Sequence, residues 1–521
     1  MLETLNRESL RDVIQYLLEA EPSTYQELHK AKLEAVRRLG LSVIPSNNQL
    51  YQALKDEDPA WLRTLLRKKP VKTVSGVSVI TVVAPIYSCP HGKCIYCPGG
   101  FQQGTPQSYT GREPVIIEAR EAGYDPYRQT LMKLEKLRSL GHNVDKVEII
   151  IIGGTFTATP ENFQRKFIKG CLDALNGVVS PDLETALQNA ENAAIHVSGI
   201  TVETKPDWAK YPQARKLVDM GVTRVELGVQ TLDDGILESV NRGHSVADVV
   251  EATADLKDLA FKVCYHMMPN LPGSTPEKDL EMLQRLFRSE DFRPDMLKIY
   301  PTLVLPGTGL EEMWRKGLYR PYSDRELIRV LSEFFKDIPP YVRVNRVLRE
   351  IPLEYALDGC RVANLRQEVE GKMEGRCRCI RCREVGRRPA LWERLTINRL
   401  RYRASHGDEW FITLDDEDTD SLIGFIRLRI PGRCLREELE NSSLVRELHV
   451  YGVMTPVGGN PEVKSAQHRG FGRMLLSEAE RISMEDYGLD RVAVISGVGV
   501  RNYYRKLGYE RIGPYMCKKL K

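Results

Sequence analysis

Cys89-Pro90-His91-Gly92-Lys93-Cys94-Ile95-Tyr96-Cys97 places three cysteines within nine residues. It follows residues 77–84, an apolar, β-branched run that reads as a strand. Cysteine thiolates hold iron–sulfur clusters. Three protein ligands leave one iron of a four-iron cluster open, and an open iron binds a small molecule directly. Taken alone, the spacing also fits a zinc site whose fourth ligand is missing or distant.

Working outward, residues 147–152, 199–202, 224–229, 263–266 and 296–300 read as strands. Residues 126–140 and 246–260 between them read as helices. Such alternation predicts a parallel α/β sheet, open or barrel-like, with its chemistry at the C-terminal strand ends. Polar groups follow several of these strands. Gly153-Gly154 lets the backbone approach a ligand closely. Glu203-Thr204-Lys205-Pro206-Asp207, Glu226 to Gln230, and Lys298 would all point into one cavity; ordinary rim polarity is the competing reading.

Further along, Cys360, Cys377, Cys379 and Cys382 are separated by sixteen, one and two residues. Four thiolates in a short irregular segment suit a closed structural zinc site, and a partly metal-free thiol cluster is the alternative. Beyond it lies a second α/β unit. Strands are expected at residues 411–414, 422–429, 443–453 and 492–495, around a helix at 472–487. Gln467-His468-Arg469-Gly470-Phe471-Gly472-Arg473 opens that helix, and free N–H groups at a helix N-terminus suit a pyrophosphate.

The chain is 521 residues long, enough for two to four domains, and carries a net charge of only +4. Any nucleic acid must therefore be held by a local basic face. Arg63, Arg67, Lys68, Lys69 and Lys72 form one basic run; Arg399, Arg401 and Arg403, with Arg394, form another. Either could equally be a solvated face. No stretch is long and apolar enough to cross a bilayer, and no signal peptide is evident, which together with clustered cysteines points to the cytoplasm.

These motifs, with Cys97-Pro98-Gly99-Gly100, Gln107-Ser108-Tyr109-Thr110-Gly111, Tyr124-Asp125-Pro126-Tyr127 and Asn241-Arg242-Gly243-His244, form a collinear set. It resembles the family of the Elongator catalytic subunit, a radical S-adenosylmethionine (SAM) domain fused to a GNAT acetyltransferase, over residues 75–521. The first cysteine loop is four residues long where the radical SAM superfamily usually has three, as in prokaryotic members.

The resemblance implies an α/β fold: a partial TIM-like (βα) radical SAM barrel, a zinc-stabilised connector and a GNAT domain, after a small helical N-terminal region. The expected bounds are 1–75, 76–345, 346–390 and 391–521. A [4Fe-4S] cluster would sit on Cys89, Cys94 and Cys97. SAM would meet Gly153, Gly154, Glu203, Lys205, Gln230 and Lys298. Acetyl-CoA would meet Gln467 to Arg473 and Asn502, with Tyr504, and Tyr503 second to it, near the thioester. Zinc would sit on Cys360, Cys377, Cys379 and Cys382.

The implied activity is tRNA wobble uridine (U34) C5 carboxymethylation, from acetyl-CoA and a SAM-derived 5′-deoxyadenosyl radical. The anticodon stem-loop would be the partner, held by the two basic runs. A homodimer is left open. Two rivals remain: a protein-lysine acetyltransferase with a structural iron–sulfur domain, and a non-catalytic tRNA-binding module. The sequence shows no unambiguous catalytic base.

Overall fold

The computed structural model describes residues 6–66, 76–388, 390–451 and 470–520. Arg67, Lys68, Lys69, Lys72, Gln467, His468 and Arg469 lie outside these residues. Two seven-stranded sheets dominate the described chain. The first contains β1 (Ser78–Val83), β2 (Lys146–Ile152), β3 (His196–Thr204), β4 (Arg224–Gln230), β5 (Lys262–Met267), β6 (Met296–Ile299) and β7 (Arg343–Val347). These lie in chain order and all pair in parallel.

Parallel neighbours need crossovers, which helices such as Pro126–Ser139, Glu161–Asn176, Val246–Asp258, Pro276–Arg288 and Asp324–Lys336 supply. Each crossover moves to the adjacent strand, so the sheet wraps as part of a barrel and all its C-terminal ends share one rim. One face of each strand packs into the core, with Ile149, Ile151, Val225 and Leu227 fully buried; the other carries Glu148, Ser198, Arg224, Glu226, His266 and Lys298, which line a cavity. β7 is the exception. Its sequence, Arg343-Val344-Asn345-Arg346-Val347, carries too little apolar signal to be read as a strand in advance.

The second sheet has the order β13-β14-β12-β11-β10-β9-β8. Its strands are β8 (Leu395–Ala404), β9 (Gly407–Asp416), β10 (Ser421–Ile430), β11 (Ser442–Val450), β12 (Arg491–Val494), β13 (Glu510–Ile512) and β14 (Tyr515–Lys519). All pairs are antiparallel except β11 with β12. Ser405 and His406, both left-handed, make the two-residue turn between β8 and β9. Helix Phe471–Glu485 buries Leu475, Leu476, Ala479 and Ile482 against this sheet.

Two contacts lock the sheets together. Ideal Cβ atoms at Gly497 and Gly499 would each lie 2.3 Å from the β3 backbone, so only glycine permits this approach. Nearby, Arg501 and Arg505 grip Glu191 at 2.8 and 2.6 Å. The second contact is a buried charge network. Arg446 meets Asp295 and Glu409, Arg429 meets Asp258 and Glu409, and Arg427 meets Glu447 at 2.8 Å. Charges this deep persist only when paired and hydrogen-bonded.

Helices Arg7–Ala20, Tyr25–Arg38, Asn47–Ala53 and Ala60–Leu66 enclose a separate small core of Val13, Ile14, Leu17, Leu28, Leu50 and Leu62. It meets the barrel where the Tyr51 ring covers Gly141.

Candidate active site

The first cysteine loop lies at the rim of the barrel, clamped by the segment after β4: Ile95 N–H donates to the Val240 carbonyl at 3.1 Å, and Asn241 Nδ2 to the Lys93 carbonyl at 2.9 Å. Every sulfur has polar company. Gln107 Nε2 donates to Cys97 Sγ at 3.2 Å and Ser108 Oγ lies 3.5 Å from it. Thr155 Oγ1 is 3.6 Å from Cys89 Sγ. His91 Nε2 is 3.2 Å, and Arg242 Nη1 3.8 Å, from Cys94 Sγ. Such a donor set suits thiolates bound to a cluster. The three cysteines line one cavity without converging to single-ion spacing, in contrast to Cys377, Cys379 and Cys382.

Gly153 and Gly154 follow β2 with φ of 127° and 92°, so their turn demands glycine. A Cβ on Gly154 would lie 3.2 Å from Gln107 and 3.9 Å from Cys89 Sγ, and so crowd the ligand space. Opposite, Glu203, Glu226, His266 and Lys298 form one ionic cluster: His266 Nε2 to Glu226 Oε2 is 2.8 Å, Lys298 to Glu203 is 3.4 Å, and Lys298 also contacts Glu226. Burial would raise the Glu226 carboxyl, but the Lys298 ammonium and the His266 bond overcome it and hold it well below the usual carboxylate range. Gln230, left-handed at φ 72°, keeps its side-chain oxygen buried without a protein partner. Glycine turn, carboxylates and unpartnered amide fit a polar, charged ligand such as SAM.

Lys205 lines the same cavity but turns its ammonium to protein partners. Its ammonium is spent on His91 Nδ1 at 3.1 Å, the Gly243 carbonyl at 3.1 Å and Asp207 at 3.2 Å.

In the second domain, Gly470 caps helix Phe471–Glu485 in the left-handed region, leaving the first N–H groups of that helix free for an anion. The Tyr503 hydroxyl lies 2.6 Å from where a Cβ of Gly472 would stand. Tyr504 is packed in the core with its ring centroid 5.8 Å from that of Tyr509, and burial pushes its hydroxyl pKa up. Asn502 lines the same cavity as the three cysteines; its Nδ2 bonds the Glu191 carbonyl at 2.9 Å and Asn192 at 3.0 Å, and its Oδ1 accepts from Arg505 at 2.6 Å, so it serves the domain contact as well.

One cavity of about 1070 Å³ joins both regions. Its lining runs from Cys89, Cys94 and Cys97 through Gly154, Glu203, Gln230 and Lys298 to Gly470, Phe471, Gly472, Arg473, Tyr503 and Tyr504. Between them stand residues that the sequence reading missed: Tyr300, Arg343, Arg346, Glu447, His449 and Tyr451. Glu447 and His449 share one face at the C-terminal end of β11, a period-two polar pair that was the available signal. Burial holds the His449 pKa below its ordinary value, against the Glu447 carboxylate that pulls it up.

Cys377, Cys379 and Cys382 bring their sulfurs within 4.8 Å of one another, which fits a thiophilic cation such as zinc. Arg366 Nη2 lies 3.4 Å from Cys382 Sγ. Cys360, expected as the fourth ligand, stands outside this group, with its thiol toward the Val362 carbonyl at 4.0 Å. Sixteen intervening residues carry its backbone elsewhere in the core.

Arg399, Arg401 and Arg403 lie on β8, the sheet edge remote from the cavity, and none lines it. Arg399 pairs with Glu478 at 2.6 Å, Arg401 with Asp408 at 2.8 Å, and Arg403 with Glu290 at 3.7 Å. Arg63, on helix Ala60–Leu66, donates to the Lys55 carbonyl.

A parallel half-barrel bearing a three-cysteine rim loop, joined to a sheet whose Gly-x-Gly turn opens a helix, defines a radical SAM protein with a fused acetyltransferase domain. The chain matches the Radical SAM superfamily over residues 83–286, the Radical SAM C-terminal domain over 294–375, the GNAT acetyltransferase family over 379–509 and the ELP3 N-terminal domain over 7–74. It is 45% identical to a tRNA uridine(34) acetyltransferase of Methanocaldococcus jannaschii, covering 94% of this chain and 93% of that one. It is 41% identical to human Elongator complex protein 3, covering 98% and 97%. The solved archaeal Methanocaldococcus infernus Elp3 with an N-terminal deletion aligns with a TM-score of 0.76 at 41% identity, over 86% of this chain and 100% of that one. The chain belongs to the Elp3 family of tRNA uridine(34) acetyltransferases.

Proposed function

We propose that this chain carboxymethylates C5 of the wobble uridine (U34) of tRNA, with acetyl-CoA as the carbon source. The observation that carries the reading is the single cavity of about 1070 Å³ shared by the two sites, which gives an acetyl-derived fragment a protected route from one to the other. A [4Fe-4S] cluster on Cys89, Cys94 and Cys97, with SAM, would supply a 5′-deoxyadenosyl radical able to abstract hydrogen from the acetyl methyl group.

The protein's own share is binding, orientation and proton handling. Gly153, Gly154, Glu203, Gln230 and Lys298 hold SAM beside the cysteine loop. The N-terminus of helix Phe471–Glu485 holds the pyrophosphate of CoA. Glu447 and His449 stand where a water could be directed at the thioester, with His449 neutral and able to take its proton. Tyr300 and the arginines Arg346 and Arg349 offer a stacking and hydrogen-bonding wall for a flipped base; the Arg349 guanidinium sits 5.9 Å over the Tyr300 ring. We also propose zinc on Cys377, Cys379 and Cys382 as a structural ion, and a cytoplasmic location; no helix among the described residues is long and apolar enough to cross a membrane.

The test is anaerobic. Reconstituted chain, SAM, reductant, acetyl-CoA and unmodified tRNA are incubated, and the nucleosides are resolved by mass spectrometry. A carboxymethylated uridine that disappears in Cys94→Ala is the expected result. Acetylated protein lysine without tRNA-dependent acetyl-CoA hydrolysis would favour the lysine acetyltransferase instead.

A further inference from the structure

Lys205, just past the end of β3, and Asn241-Arg242-Gly243-His244, in the segment after β4, both converge on one sulfur. Lys205 is buried, 2% exposed, and its three ammonium protons have three acceptors: His91 Nδ1, the Gly243 carbonyl and Asp207. An ammonium has no lone pair, so Nδ1 of His91 must accept, and the ring proton must reside on Nε2. That Nε2 lies 3.2 Å from Cys94 Sγ. The ring is seated by close packing, since a Cβ on Gly243 would come within 2.4 Å of His91 Cβ. Arg242 adds a guanidinium 3.8 Å from the same sulfur, with its other N–H groups anchored on the Gly228 carbonyl. Cys97 and Cys89 receive only neutral amide and hydroxyl groups.

We propose that His91 is a positioning residue for the cluster's electron affinity: Lys205 fixes its tautomer, and its Nε2–H is donated to the Cys94 thiolate. Donation to a ligating sulfur withdraws electron density and favours the more negative, reduced state, so the relay makes the cluster easier to reduce. Lys205 acts through His91 and not on SAM. The inference rests on the reading that the three cysteines hold the cluster.

The experiment is an EPR-monitored redox titration of the anaerobically reconstituted full chain, paired with SAM binding by calorimetry. In His91→Ala and Lys205→Met the midpoint moves to more negative potential, and the double variant moves no further than the larger single shift. His91→Gln, which keeps an N–H donor, recovers part of the change. SAM affinity of Lys205→Met stays within about twofold of the parent, because its ammonium is committed elsewhere.

Midpoints equal to the parent at equal iron content would overturn the relay, as would lost SAM affinity with an unmoved midpoint. A parent chain that takes up no cluster would instead remove the reading of the three cysteines, and the relay with it. Should the variants fail to bind iron, the parent decides: pulsed EPR of the reduced cluster in ¹⁵N-histidine-labelled chain is expected to show a coupled imidazole nitrogen, and its absence overturns the proposal.

Discussion

Arg446 on β11 holds Asp295, just before β6, through two parallel bonds of 2.7 and 2.6 Å, with neither side chain exposed. The pair joins the acetyltransferase sheet to the barrel, and Arg427 lies 3.5 Å from the same carboxylate. Removing Asp295 would leave two buried guanidinium groups short of a partner. Asp295→Ala should therefore cost about 3–5 kcal/mol, read as a lowered denaturant midpoint.

The same carboxyl sets a pH dependence. Burial would raise its pKa, but Arg446 and Arg427 overcome this and hold it well below the usual carboxylate range. Its folded pKa is thus depressed below the unfolded value of about 3.9, so its contribution is full above that value and is lost only as pH falls through the folded pKa. Thermal melts at pH 7 and pH 5 should show no loss from this pair, and Asp295→Ala should destabilise equally at both.

Gly499 touches β3 where a Cβ would stand 2.3 Å from the Val197 nitrogen. Gly499→Ala must push the two sheets apart, at roughly 1–3 kcal/mol. The tRNA product should fall sharply while SAM cleavage, proposed for the barrel end of the cavity, persists; nucleoside analysis beside 5′-deoxyadenosine release separates the two.

Cysteine substitution tests the proposed zinc site. Cys379→Ser should release zinc, measured by elemental analysis, and lower the melting temperature. Cys360→Ser should retain the metal, because its thiol lies outside the group formed by Cys377, Cys379 and Cys382.

In the acetyl-CoA site, His449→Ala should slow tRNA-dependent acetyl-CoA hydrolysis by about 10²–10⁴-fold. Around the imidazole, Arg343 and Lys262 reinforce burial in lowering its pKa, while Glu447 and Glu384 oppose them. Hydrolysis should stay level as pH falls to about 6.5, an ordinary histidine value, and decline only in more acid solution. His449→Ala should lose that acid limb.

The two tyrosines should separate kinetically. Tyr503, beside Gly472, belongs to the cofactor turn, so Tyr503→Phe should raise KM for acetyl-CoA. Tyr504, deeper in the core yet lining the same cavity, should lower kcat when changed to phenylalanine.

Much of the fold was legible because its signals are local. The runs at β1 to β6 each carry one strongly apolar face, and Gly470 and Gly472 mark the start of a helix within three residues. β7 and β8 were not legible: arginines interrupt both, and β8, an edge strand, leaves Arg399, Arg401 and Arg403 exposed. Each of these three side chains has an acidic neighbour that the spacing could not reveal.

The sequence by itself determined the chemistry that depends on short spacing: three cysteines for a cluster, Gly153-Gly154 beside it, and a Gly-x-Gly helix start. Tertiary structure alone decided that these sites share one cavity, that Glu447 and His449 face it, that Lys205 turns to His91, and that Cys360 stands aside. The reason is distance along the chain. Arg446 meets Asp295 across 151 residues and Lys205 meets His91 across 114, and no local pattern encodes which charge will be brought to which partner once both are buried.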